Sequence, residues 1–281
     1  MYNDIIYMFN CQIGKFNKEE DQNTINKIKN WSLQYFENDL KKRPSLHKYI
    51  NKLPTNIIKE IDKIRYSKEI TNNICKQYKK CKIIPLNSID EIYISHVNYD
   101  NGGDQGLFDK HYDGNLRFIN NATVIRALIY LSSNGDLKVV FDNCGKSKNF
   151  KSFEYGLLDF HREYHWVEGS YDPNEKVPRI IIKCNYMICE DCSHIYQELY
   201  KYMNLFVFYV VKLSMEYSKS PKTPFQKFIG FFCNFFRIIN IYSPFLSFIF
   251  VFIIIILILI IMFFLLKFTN EKLFLSLFKK K

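Results

Sequence analysis

Between Ile83 and Cys189 the chain is written in short runs of Ile, Val, Tyr and Phe, broken by turn-forming clusters such as Asn101-Gly102-Gly103-Asp104 and Ser133-Asn134-Gly135-Asp136. Runs this short, spaced by turns, predict antiparallel strands that must close into a sandwich or barrel to bury their apolar faces. The clearest candidates are residues 91–99, 123–131, 137–142, 156–160 and 179–186. They define one β core of roughly a hundred residues, near the ordinary size of a domain.

The flanks differ in texture. Up to about residue 85, lysines and asparagines alternate with apolar residues at helical spacing; Ile57, Ile58, Ile61 and Ile64 fall on one stripe, and Pro54-Thr55 suits a helix start. This predicts a helical layer supporting the β core. Beyond Cys192 the chain turns basic and aromatic. Residues 225–242 interleave Phe228, Phe231, Phe232, Phe235 and Phe236 with Lys227 and Arg237, the pattern of a segment lying in a membrane surface. Residues 245–266 then hold no charge and only Ser247 as a polar member. A helix over them would be roughly 33 Å long, enough for a hydrocarbon core of about 30 Å. The expectation is a single C-terminal transmembrane helix with the lipid bilayer as a partner. The body would be cytosolic, and a luminal placement is the alternative.

Charge bears on the partner class. The net charge is +11, but residues 212–281 hold ten of the 39 Lys and Arg side chains against two of the 28 acids. The rest is nearly balanced, so no nucleic-acid partner is expected. The eight cysteines form no dense framework and residues 1–15 do not read as a signal peptide, so the thiols are expected to be mostly reduced. Cys189 and Cys192 form a lone CxxC without the further ligands of a zinc site, leaving metal binding there open.

The chemistry is concentrated in two segments. In an extended stretch His111 and Asp113 project from the same face, because side chains alternate with period two. An imidazole beside a carboxylate makes two of the three ligands of a facial 2-His-1-carboxylate iron site. A third would come from a distant strand, and His161 and His165 are both offered. Arg179 heads the apolar run Ile180-Ile181-Ile182. If buried, it would require an anion such as a carboxylate.

The order Tyr99 with Gly102-Gly103, then His111 and Asp113, then the strand 126–132, then His165 and Arg179, resembles the Fe(II)/2-oxoglutarate-dependent dioxygenases of the prolyl 4-hydroxylase-like branch, over roughly residues 90–190. The resemblance implies a mainly β fold with α, a double-stranded β-helix (jelly-roll) core. It implies that His111, Asp113 and His165 hold Fe(II), that Arg179 pairs with the distal carboxylate of 2-oxoglutarate, and that Tyr99 and Tyr130 line the cosubstrate pocket. His165 is preferred to His161 because it lies nearer Arg179, as in the family. The implied reaction uses O2, with ascorbate as a possible accessory, to couple decarboxylation of 2-oxoglutarate to hydroxylation of a protein or peptide side chain such as proline. The expected organisation is a helical region over 1–85, the dioxygenase core over 86–192, a juxtamembrane region over 193–244, the membrane helix over 245–266 and a basic tail over 267–281. The rival is a catalytically inert β-core membrane scaffold.

The departures from the family concern the pocket rim. The interval from His165 to Arg179 is lengthened around residues 170–176, Pro178 stands where the family has Gly, and the paired glycines after the Tyr-Leu strand are reduced to Gly135-Asp136. A longer loop there bears on substrate class more than on metal binding.

Overall fold

A computed structural model of the chain describes residues 9–96, 105–111, 113–114, 122–190, 192–219 and 221–231. In chain order the elements are β1 (Gln12–Lys15), α1 (Glu19–Tyr35), α2 (Glu37–Leu40), β2 (Ser45–Tyr49), α3 (Thr55–Arg65), α4 (Lys68–Cys75), β3 (Ile83–Pro85), β4 (Glu91–Ser95), α5 (Gln105–Phe108), β5 (Ala122–Ser132), β6 (Lys138–Phe141), β7 (Lys146–Lys148), β8 (Glu154–Asp159), β9 (His165–Glu168), β10 (Arg179–Cys189) and α6 (His194–Lys219).

Among the described residues, seven strands form a major sheet in the order β1-β8-β5-β10-β4-β2, with β3 also paired to β10. Three more form a minor sheet, β7-β6-β9. All these pairings are antiparallel. The architecture is mainly β with helices, compatible with a jelly roll. The N-terminal region does more than add helices, because β1 and β2 supply both ends of the major-sheet path.

The central strands β5 and β10 are buried along all eleven residues each, because the major sheet is covered on both faces. One face carries Ile125, Ala127, Ile129 and Leu131 of β5 with Ile180, Ile182, Cys184 and Tyr186 of β10, packed against Ile25 and Ile28 of α1, Ile57, Ile61 and Ile64 of α3, and Ile70 and Ile74 of α4. The other carries Leu128, Tyr130, Leu158 and Ile181, packed against Leu137, Val139, Phe141 and Val167 around the minor sheet. Period-two alternation then puts Arg126, Tyr130, Arg179, Lys183 and Asn185 on the face away from the helices. The site is built on that face.

α3 begins at Thr55 behind Pro54, as the helix-start signal predicts. Its Ile57, Ile61 and Ile64 are buried while Ile58 is half-buried, so the apolar stripe is the packing face. The segment 170–176 is anchored where it leaves the minor sheet. Asn134 Nδ2 donates to the carbonyls of Glu175 and Val177, and Gly135 N donates to Glu175 Oε2. Gly135 adopts φ +69°, and an added Cβ would meet the Ser170 carbonyl at 2.3 Å, so this turn excludes other residues.

Two expectations are corrected. Among the described residues no helix is long and apolar enough to cross a membrane. That overturns the transmembrane helix in the expected fold class and, with it, the single-pass localisation in either orientation. The long helix α6, in the region expected to be juxtamembrane, carries Glu198, Lys201, Lys212, Glu216 and Lys219 along its 26 residues. Residues 245–266 themselves lie outside the described residues. The second correction concerns the thiols. Cys11–Cys144, Cys75–Cys81 and Cys189–Cys192 are disulfide-bonded, while Cys184 is free and buried. Cys11 and Cys144 are 133 residues apart, and only the packing of β1 beside β8 and the turn after β6 brings them together. The chain divides into units 1–210 and 211–281. In the second, a helix over 224–231 exposes Phe225, Phe228 and Phe231.

Candidate metal centre

His165 opens β9, and the segment carrying His111 pairs with it as an isolated antiparallel bridge. The two residues exchange both backbone hydrogen bonds: His111 N donates to the His165 carbonyl at 3.1 Å and His165 N to the His111 carbonyl at 2.8 Å. Directly opposed residues present their side chains together, and the two imidazole centroids are 4.5 Å apart. Gly114 N then donates to the Phe160 carbonyl at 2.7 Å, fixing the backbone just after Asp113. An added Cβ at Gly114 would meet His161 Nδ1 at 2.3 Å and the Phe160 ring at 2.5 Å, so only glycine lets the segment approach this closely.

The result is a cluster of three potential ligand atoms, from His111, Asp113 and His165, all within 4.8 Å of one another. His111 Nε2 lies 3.9 Å from Asp113 Oδ1, and His165 Nε2 lies 3.5 Å from Asp113 Oδ2. The tautomers follow from the other ring nitrogens. His111 Nδ1 is 2.7 Å from the Asp109 carbonyl and His165 Nδ1 is 3.2 Å from the Glu163 carbonyl. A carbonyl only accepts, so each Nδ1 must donate, and each Nε2 is the ring nitrogen turned toward Asp113.

Protonation suits the same role. Burial, reinforced by the neighbouring His111 and opposed by Asp113, lowers the His165 pKa to about 4, so its imidazole is neutral near neutral pH. For Asp113 burial acts upward and is the largest single influence. Arg126, His165, Lys183 and His111 together outweigh it and hold the carboxyl well below the usual range. Arg126 Nη1 lies 2.8 Å from Asp113 Oδ2. Two imidazoles and one carboxylate are the donor set that suits Fe(II) with positions left open.

Arg179 sits at the start of β10 and is 3% exposed. Its Nη2 donates to the Tyr130 hydroxyl at 3.1 Å, and the guanidinium stands 5.5 Å from the Tyr130 ring centroid. Tyr130 is stacked on Phe150 at 4.4 Å, which fixes the phenol. Burial opposes the Arg179 charge, while the Tyr130, Tyr171 and Tyr93 hydroxyls favour it, and the net shift is upward. Other cations on this sheet face have partners, Arg126 with Asp113 and Lys183 with Glu91 at 3.2 Å. Among the described residues no carboxylate reaches Arg179, and its Nη1 is buried without a hydrogen-bond partner. A desolvated cation in this state is costly, and a ligand carboxylate would relieve it.

The structure thus brings together His111, Asp113 and His165 beside the minor sheet, and it pairs Arg179 with Tyr130 on the major-sheet face turned away from the helices. His161 lies outside the three-residue cluster, with its ring edge-on to Phe160 at 5.0 Å. Tyr99 lies outside the described residues. The sequence reading missed Arg126, Lys183 and Tyr171. Arg126 and Lys183 stand as single charges inside otherwise apolar strands, a pattern that marks a buried paired charge. Tyr171, from the lengthened loop, is buried and hydrogen-bonded to Ser95 Oγ, a contact with no local signature.

No family model matches the sequence, and no curated protein matches it. Among solved structures, the chain is similar to a viral collagen prolyl hydroxylase from Paramecium Bursaria Chlorella virus-1 in complex with 2OG, at 10% identity and TM-score 0.39, covering 64% of this chain and 97% of that one. It is also similar to a prolyl-4-hydroxylase from Pseudomonas putida, at 10% identity and TM-score 0.37, covering 64% and 93%. A third, a prolyl 4-hydroxylase from Phytophthora capsici, shares 11% identity and TM-score 0.35, covering 73% and 81%. Likenesses this low carry no weight for function.

Proposed function

We propose that this chain is an Fe(II)- and 2-oxoglutarate-dependent dioxygenase that hydroxylates a protein or peptide side chain, with proline as the first candidate. The observation that carries the reading is the combination of a His111, Asp113 and His165 cluster with a buried guanidinium, Arg179, that no carboxylate among the described residues reaches. When bound, Fe(II) with 2-oxoglutarate and O2 supplies the oxidising chemistry, yielding succinate and CO2 alongside the hydroxylated product.

The residues have separable tasks. His111 and His165 turn Nε2 toward the cluster because backbone carbonyls take their Nδ1 protons. Asp113 stays ionised because the nearby cations, Arg126 foremost and then Lys183, oppose the effect of its burial. Arg179 would bind the carboxylate of 2-oxoglutarate farther from the metal, with Tyr130 orienting the guanidinium from beneath. Covering the major sheet by the minor one excludes water from this face and strengthens each charge interaction. The proline assignment rests on the family resemblance of the motif order.

The test is succinate release by the purified full chain with Fe(II), 2-oxoglutarate and a panel of proline-containing peptides. Release that depends on the peptide and is abolished in His111→Ala/Asp113→Ala supports the reading. Turnover that survives the double substitution refutes it.

A further inference from the structure

Asp113 is more elaborately held than a ligand carboxylate on a short loop needs to be. Its Oδ2 lies 2.8 Å from Nη1 of Arg126, a residue at the middle of β5 that is 3% exposed. Arg126 is itself held on two sides. Its guanidinium lies 4.5 Å from the centroid of the Phe160 ring, and its Nε donates to Asn185 Oδ1 at 2.9 Å. Asn185 is its register partner on β10, so the two side chains leave the sheet side by side.

The bracing continues beyond Asn185. Its Nδ2 donates to Asp90 Oδ1 at 3.0 Å and its backbone N to the same oxygen at 2.7 Å. These donations fix which end of the amide faces Arg126. Asp90 Oδ2 in turn lies 2.9 Å from Arg65 Nη2, and Arg65 Nη1 donates to Asp62 at 2.7 Å. Ion pairs at Asp113–Arg126 and Asp90–Arg65, joined by the hydrogen bonds of Asn185, therefore run from Asp113 to Arg65 and Asp62 on α3. Asp90, Asn185, Arg65 and Arg126 are all buried. Losing the Asn185 acceptor would leave the buried Arg126 Nε without a partner.

We propose that Arg126 is a positioning residue for the metal-ligating carboxylate: its ion pair with Asp113 holds the carboxylate's orientation, and its hydrogen bond to Asn185, itself held by Asp90, keeps Arg126 in place. This rests on His111, Asp113 and His165 being metal ligands. Ionic partners behind a ligating carboxylate set its orientation, and their loss weakens metal binding by about 10–100-fold. The guanidinium also places a positive charge next to the metal position. Were its effect only Coulombic, removing it would tighten metal binding, so the sign of the change separates positioning from simple charge.

The experiment uses the full chain and Co(II) as the probe, followed by calorimetric titration and by visible absorption, which reports coordination geometry. Wild type should bind Co(II), and Asp113→Ala should lose that binding. Arg126→Met should weaken binding by about 10–100-fold with an altered visible spectrum. Arg126→Lys should recover part of the affinity, and Asn185→Leu, which keeps the guanidinium but removes its acceptor, should fall between wild type and Arg126→Met. If Arg126→Met does not fold, Asn185→Leu and Arg126→Lys carry the test. Unchanged or tighter binding with a wild-type spectrum in the folded variants would overturn the proposal while leaving the metal site standing. Absence of Co(II) binding by wild type would overturn both.

Discussion

Replacing Arg179 by Met separates a ligand-binding arginine from a structural one, because the two roles predict opposite balances. Without cosubstrate the guanidinium has one hydrogen bond, to Tyr130 at 3.1 Å, and a cation–π contact at 5.5 Å. The substitution forfeits about 1 kcal/mol for the first and about 2 kcal/mol for the second. It also removes the cost of an unpaired charge at 3% exposure, an effective penalty of several kcal/mol. Stability of the unliganded protein should therefore hold within about 1 kcal/mol or rise. Cosubstrate binding should suffer heavily, since a carboxylate buried without its partner costs about 3–5 kcal/mol, or a weakening of roughly two to three orders of magnitude. The assays are urea denaturation of the metal-free chain and anaerobic titration of 2-oxoglutarate into the Mn(II)-loaded chain. A variant destabilised by more than about 3 kcal/mol that binds 2-oxoglutarate as tightly as wild type would refute the reasoning.

Further predictions concern pH, backbone approach and the core. His165 has its folded pKa lowered from 6.5 to about 4, so the unfolded chain binds more protons across that window. Stability of the metal-free protein should rise with pH from about 4 to 6.5, by up to ~3 kcal/mol, and denaturation curves of His165→Gln should show a flatter dependence. Gly114→Ala drives a Cβ into the His161 and Phe160 rings, which should cost about 1–3 kcal/mol and weaken Co(II) binding by shifting Asp113. Ile182→Ala, on the helix-facing side of β10 and fully buried, should cost about 2–5 kcal/mol in denaturation and leave the Co(II) affinity of the folded protein unchanged.

The parts legible in the sequence are those encoded by local spacing. β5, β6, β8 and β10 fall within a few residues of the runs expected, because each is a β-rich segment bounded by turn formers. The side-by-side placement of His111 and Asp113 needed only the period of an extended chain. β9 escaped notice because four residues, His165 to Glu168, are too few to show alternation. β1 and β2 escaped because each is short and embedded among helical segments, and pairing with β8 and β4 makes them strands. Arg126 required knowing that β5 lies beside β10 in the register that sets it opposite Asn185, a long-range fact. The disulfide between Cys11 and Cys144 is unreadable for the same reason. The membrane expectation failed differently: it was drawn from composition over residues 245–266, and no described helix has the length and apolarity to support it.

The central claim is that this chain holds a metal at His111, Asp113 and His165 and 2-oxoglutarate at Arg179. Anaerobic addition of Fe(II) and then 2-oxoglutarate to the full chain tests it directly, read by visible absorption. The account predicts a weak metal-to-ligand charge-transfer band that requires both additions, disappears in Asp113→Ala, and needs much higher 2-oxoglutarate in Arg179→Met. No band in the wild-type chain, or a band indifferent to both substitutions, would contradict it.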